Sequence, residues 1–201
     1  MSRWWRAILS FLFPALCPAL LPALLWAQVQ RFDFEGDQEV DREPEHWAKI
    51  VEPSQQYYSY TRTGISDQVS HLGQRSLHFS VLRGNIGYET RDYLKIDPDR
   101  SYVFEGWIKM AGLTHSQASF VLRLFEKEDP SSLVGEFSPP FTPAKEEPGG
   151  WKQYALMLNN IKSTVRFIKI RCLLKGGDIA GDCWFDEIVL VEQPRIMMES
   201  G

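Results

Sequence analysis

Apolar residues recur at every second position in short runs from about Arg31 to Glu192, and Gly, Pro, Asn or Asp breaks the runs at intervals that suit strands. RFDFEG puts Phe32 and Phe34 on one side of an extended chain and Asp33, Glu35 and Asp37 on the other. SLHFSVL repeats the alternation with Leu77, Phe79 and Val81. After a turn at Asp97-Pro98-Asp99, SYVFEGWIKM sets Tyr102, Phe104 and Ile108 against Glu105, Trp107 and Lys109. ASFVLRLFEK and WKQYALML continue the pattern, separated by FSPPFTPAKEEPGG, whose four prolines and closing glycines read as loop rather than strand or helix. VRFIKIRCLL and DCWFDEIVLVE read as a last hairpin. No helical period appears. Roughly eight strands without crossover helices cannot build a parallel sheet, so the pattern predicts an all-β fold, an antiparallel β-sandwich or jelly roll.

The two ends read differently. Residues 1–27 begin with Arg3 and Arg6, run through an apolar stretch and stop at Ala27, the plan of a signal peptide. The stretch is long enough for a membrane anchor, although Pro14, Pro18 and Pro22 disturb it as a helix. Both fates, cleaved signal and retained anchor, stay open. The domain is expected over 28–193, with 194–201 as a tail or linker that further domains could follow. Removal of 1–27 leaves Cys172 and Cys183, an even count in a chain bound for the periplasm, the cell surface or the medium. A hairpin centred near Gly177 and Asp178 would set them opposite one another, and either a cross-strand disulfide or two buried thiols would follow.

Composition narrows the partners. Twenty-two Lys and Arg against 26 Asp and Glu give a net charge of −4, which argues against nucleic acid and against a polybasic membrane surface. The four histidines, His46, His71, His78 and His115, stand apart without metal-ligand spacing, and no nucleophile-elbow or HExxH motif occurs. Glu126 and Glu128 in FEKED have the alternation of a hydrolytic pair but border Asp129-Pro130, as in a charged turn. Catalysis is therefore not expected of this chain.

FDFEG, LGQRSLHF, DPDRSYVFEGWIKM, GWKQYALML and CWFDEIVLVE, in that order, resemble the galactose-binding-like jelly rolls that serve as carbohydrate-binding modules in exported bacterial proteins. The resemblance implies a structural calcium where the first and last strands meet, held by Glu35 and Asp186 with carbonyls around Asp33 and Gly73-Gln74-Arg75; calcium takes six to eight hard oxygens. It also implies a polysaccharide or other glycan as partner. Flat aromatic surfaces and fixed polar groups would hold it, and the candidates are Tyr58, Tyr60, Tyr88 and Trp107 with Arg91 and Arg123. Trp151 and Trp184 are expected to pack. The competing readings are a structural or adhesive β-sandwich of a cell-surface protein, with the aromatics in its core, and a glycan-cleaving jelly roll with two acids facing one cleft.

Overall fold

The computed structural model describes residues 28–37, 39–40, 42–50, 62–81, 85–176, 178 and 180–193. The signal peptide, Tyr58, Tyr60 and the tail lie outside them.

Thirteen strands are found among the described residues, and every pairing is antiparallel. They are β1 (Gln28–Phe32), β2 (Trp47–Lys49), β3 (Arg62–Ser66), β4 (Ser76–Val81), β5 (Ile86–Thr90), β6 (Leu94–Lys95), β7 (Ser101–Ala111), β8 (Ser116–Phe125), β9 (Leu133–Phe137), β10 (Lys145–Glu146), β11 (Trp151–Leu158), β12 (Phe167–Gly176) and β13 (Gly181–Gln193). One sheet runs β10-β11-β7-β13-β4-β3, with β1 beside the second half of β13; the other runs β2-β5-β12-β8-β9, with β6 beside the start of β12. No α-helix occurs among the described residues. The architecture is the antiparallel jelly-roll sandwich that the alternation predicts.

The core fills between the sheets with the alternate residues of each strand. Leu77, Phe79, Phe104, Ile108, Phe185 and Leu190 face in from the first sheet, and Phe120, Leu122, Ile168 and Ile170 from the second. Aromatic edges interlock across the seam: Phe120 meets Phe104 at 5.0 Å and Phe185 at 5.4 Å, both edge-on. Gly106 makes this possible, because a Cβ there would stand 2.6 Å from the Phe120 ring.

Three local features depart from the alternation. FDFEG is not a strand throughout: β1 ends at Phe32, and Phe34 turns the chain at φ 60° with its side chain still buried. The expected last hairpin is instead a crossover, since β12 and β13 lie in different sheets. Cys172 and Cys183 therefore point into the core from opposite layers, and both are buried free thiols rather than a disulfide; burial pushes each well above the ordinary thiol range. Finally, a bulge between Asp186 and Val189, with Glu187 at φ 48°, breaks the register of β13 against β7.

Candidate functional site

Two outer faces carry the chemistry. On the seven-stranded sheet, Trp107, Trp151 and Trp184 point outward in a buried cluster with Val69, beneath the segment joining β3 to β4. His71 from that segment stacks on Trp107 at 3.9 Å and reaches Glu147 through Nε2 at 3.1 Å. His78 stacks on Trp184. Trp151 and Trp184 pack, as expected, but Trp107 does too: the segment above it leaves it only 7% exposed, so it is no sugar platform.

Two carboxylates anchor this segment. Asp186 is fully buried, and its Oδ2 accepts the amides of His71 (2.7 Å) and Leu72 (3.4 Å) while Oδ1 accepts that of Glu187 (2.8 Å). Glu35 Oε1 accepts the amides of Gln74 (2.8 Å) and Arg75 (2.9 Å). Gly73 sits between at φ 72°, so close that a Cβ would lie 2.3 Å from Glu35 Oε1. Five consecutive loop residues are thus held at both ends by acids from opposite termini of the fold. The bulge lets Glu187 turn to Arg31, whose Nη2 it accepts at 2.7 and 2.9 Å, so the adjacent acids Asp186 and Glu187 do not face opposite sides as strict alternation would require.

Burial drives the Asp186 carboxyl up to about 7; the amides of His71, Glu187 and Leu72 pull the other way, and the charge of Glu187 adds to the rise. No cation is bonded to it among the described residues. Glu35 Oε2 accepts no hydrogen bond there either, so both acids suit a cation in charge. Asp33 does not join them: its carboxylate takes the Glu35 amide at 3.2 Å and faces Arg31 at 3.6 Å. The turn 73–75 presents amides where the calcium expectation needed carbonyls, and no cluster of three metal-ligating side chains occurs among the described residues.

The second face is the outer side of the six-stranded sheet. Strand register aligns Glu89, Arg123, Lys169 and Arg171 on it. Glu89 receives Arg171 Nε at 2.7 Å, Arg123 Nη1 at 2.8 Å and Lys169 Nζ at 2.9 Å, and Arg123 Nε also meets Glu136 at 2.8 Å. Burial works against the Glu89 charge, but the hydrogen bonds from Lys169, Arg123 and Arg171 outweigh it and hold its carboxyl below the usual range. Tyr93 lies alongside, edge-on to Phe125 at 5.1 Å and to Phe167 at 6.1 Å, with Lys169 Nζ 4.8 Å above its ring. Tyr93 and Phe167 are half-buried.

Of the expected glycan contacts among the described residues, only Arg123 lies in this network. Tyr88, one residue before Glu89, points the other way into the core, fully buried, with its hydroxyl 2.9 Å from Thr63 Oγ1; the alternation of β5 puts it there. Arg91 lies past the end of β5, exposed, bonding the Glu45 carbonyl and Glu43. Glu126 and Glu128 are exposed in the turn after β8. Lys169, Arg171, Glu136 and Phe167 were not selected from the sequence. The outward triplet Phe167, Lys169, Arg171 in RFIKIR is visible as alternation, but its meeting with Glu89, some 80 residues earlier, is a matter of sheet order. A separate apolar groove of about 300 Å³ opens between β9 and β11, lined by Val134, Phe137, Leu156 and Met157 among others.

No protein-family model matches the chain, and no curated protein sequence does. Solved structures match its fold. The CBM22-2 xylan-binding domain of Paenibacillus barcinonensis Xyn10C superposes with a TM-score of 0.53 at 12% identity, over 82% of this chain and 99% of that one. The CBM22-1 domain of the same protein gives 0.50 at 11%, over 83% and 95%. A cyclase from Fischerella sp. TAU gives 0.52 at 13%, over 81% and 94%. The fold is thus that of the β-jelly-roll carbohydrate-binding domains. The same fold also carries an enzyme, so the function must be argued from the faces.

Proposed function

We propose that the chain is a non-catalytic carbohydrate-binding domain of an exported protein, taking a polysaccharide across the outer face of the six-stranded sheet. The observation that carries this reading is the fixed network of Glu89, Arg123, Lys169 and Arg171 beside the half-buried rings of Tyr93 and Phe167. Sugars are held by aligned donors and acceptors for their hydroxyls and by flat apolar surface for their C–H faces. The likeness in fold to xylan-binding domains agrees with this, and neutral xylan belongs in the first panel. Affinity electrophoresis in gels containing plant, algal and microbial polysaccharides is the test: the protein should be retarded by at least one, and Tyr93→Ala should relieve the retardation. Uniform migration in every gel refutes the reading.

A structural calcium held by Glu35 and Asp186 is part of the same proposal, with the cation competing against the loop amides for the two carboxylates. It would bind as a hard cation and neutralise the buried charge. A rise in melting temperature on adding calcium to protein freed of metal by EDTA supports it, and an unchanged melting temperature refutes it.

The second reading is an adhesive β-sandwich that binds protein. The burial of Tyr88 and Trp107 and the groove at Phe137 and Met157 favour it. Loss of glycan retardation in Tyr93→Ala, with Phe137→Ser still retarded, decides for the glycan.

A further inference from the structure

We infer that the polysaccharide bound by the six-stranded face carries carboxylate groups, a uronate-bearing chain; this rests on the glycan-binding reading of that face. Three cations, Arg123, Lys169 and Arg171, surround Glu89, and their side chains are only 12–18% exposed. Glu136 is the second anion, but it lies at the rim, 2.8 Å from Arg123 and 4.0 Å from Arg171. Among the described residues that pair within the cluster, three cations face two anions, an excess of one positive charge partly out of water, where an uncompensated charge is costly. A ligand anion would remove that cost.

The geometry suits a carboxylate. Arg171 gives Nε to Glu89, and its Nη1 and Nη2 make no hydrogen bond among the described residues; Arg123 Nη2 makes none. Guanidinium forks match planar carboxylates through paired N–H donors. Alternation on β12 places Lys175 on the same face two pleats beyond Arg171, exposed and without a partner among the described residues. The row of Lys169, Arg171 and Lys175, with the buried Leu173 between the last two, spans about 20 Å at strand rise, the reach of several linked sugars rather than one. At its other end Glu128 and Asp129 lie near Tyr93 and raise its hydroxyl pKa, after burial and Glu89. The positive field is therefore centred on Arg171 and Lys175. The chain as a whole is acidic, at −4, so a polyanion is repelled elsewhere and drawn to this row.

The experiment compares polygalacturonate with the same polymer after reduction of its carboxyls to primary alcohols, by titration calorimetry of the full chain at low and high salt. We expect about tenfold tighter binding of the uronate polymer at low salt, a margin that shrinks as salt screens the exposed charges. Arg171→Gln should lose most of the preference. Lys175→Gln, which breaks no polar contact among the described residues, should lose part of it. Equal affinity for the two polymers overturns the inference and leaves the glycan reading standing. A preference unchanged in both variants overturns it as well, since the field would then arise elsewhere. Failure to bind either polymer overturns the inference, and the glycan reading falls with it when migration is also uniform in every gel of the panel.

Discussion

Asp186 should make the protein less stable as pH rises through the mildly acidic range, the opposite of an ordinary salt-bridged carboxylate. The unfolded chain releases this proton near the ordinary value of 3.8, whereas the folded chain holds it up to about 7. Between those values the folded state binds more protons, so stability falls with rising pH and levels off above 7. A shift of this size is worth on the order of 4 kcal/mol across the window, a large share of the roughly 5–15 kcal/mol typical of a domain. Asp186→Asn carries no charge and lacks this slope; it is weaker at low pH, because its amide nitrogen must face one of the N–H groups of His71, Leu72 or Glu187. Urea unfolding, followed by tryptophan fluorescence from pH 4.5 to 8 in EDTA, measures the difference between the two proteins. That difference should shrink or change sign as pH rises. Parallel profiles would refute the account of a buried, unneutralised carboxylate. Calcium adds a second axis: a cation binds the ionised form, so a concentration 100 times its dissociation constant adds about 2.7 kcal/mol. The gain should be greatest above pH 7 and fade in acid.

Gly73→Ala must leave its positive φ or displace the Glu35 carboxylate; with about 1–2 kcal/mol of backbone strain and two charge-assisted amide bonds at risk, the midpoint of urea unfolding should fall clearly, and an unchanged midpoint would mean the loop is not clasped. Gly106→Ala drives a methyl into the Phe120 ring and should cost about 1–3 kcal/mol by overpacking, read as a lower melting temperature with glycan retardation retained. Asp178 accepts Thr114 N, Thr114 Oγ1 and His115 N, and hydrogen bonds, first that with Ser116, hold its carboxyl down at about 2. Its contribution is present above about 4 and lost as pH falls through about 2, so Asp178→Ala should be destabilised at neutral pH and converge with wild type in strong acid.

The alternation of SLHFSVL and SYVFEGWIKM carried the fold class, because one buried face per strand leaves a two-residue signature. The ordered motifs also pointed to Glu35 and Asp186, which the structure does bring to one loop. Trp107 shows where such reading stops: its outward position on β7 is legible, but the segment that covers it comes from residues 67–75, and nothing in the strand encodes that cover. Cys172 and Cys183 fail for a related reason. A short glycine-rich connection fits a hairpin and an inter-sheet crossover equally well, and what holds the crossover is the Asp178 carboxylate bonding Thr114 and His115 just before β8, a contact over more than 60 residues. Arg123 was found as a polar residue on a strand; its partners Glu89 and Glu136 needed the sheet order.

That crossover also explains how the molecule separates its two chemistries. β12 lies at the middle of the cationic face and β13 at the middle of the tryptophan-lined face, each paired on both sides. Had the two strands paired as a hairpin, Arg171 and Asp186 would belong to one sheet, and the buried acid would have lain in the field of the arginine cluster, which would favour its ionised form. With the strands in opposite layers, about 10 Å of apolar core separates the faces. Among the described residues Asp186 then has only amides for hydrogen-bond partners and keeps its raised pKa, while Glu89 keeps three cations and a lowered one. Two carboxylates of one sandwich are thus driven in opposite directions by the partners their layer supplies, and for Asp186 the layer is set by the crossover from β12 to β13.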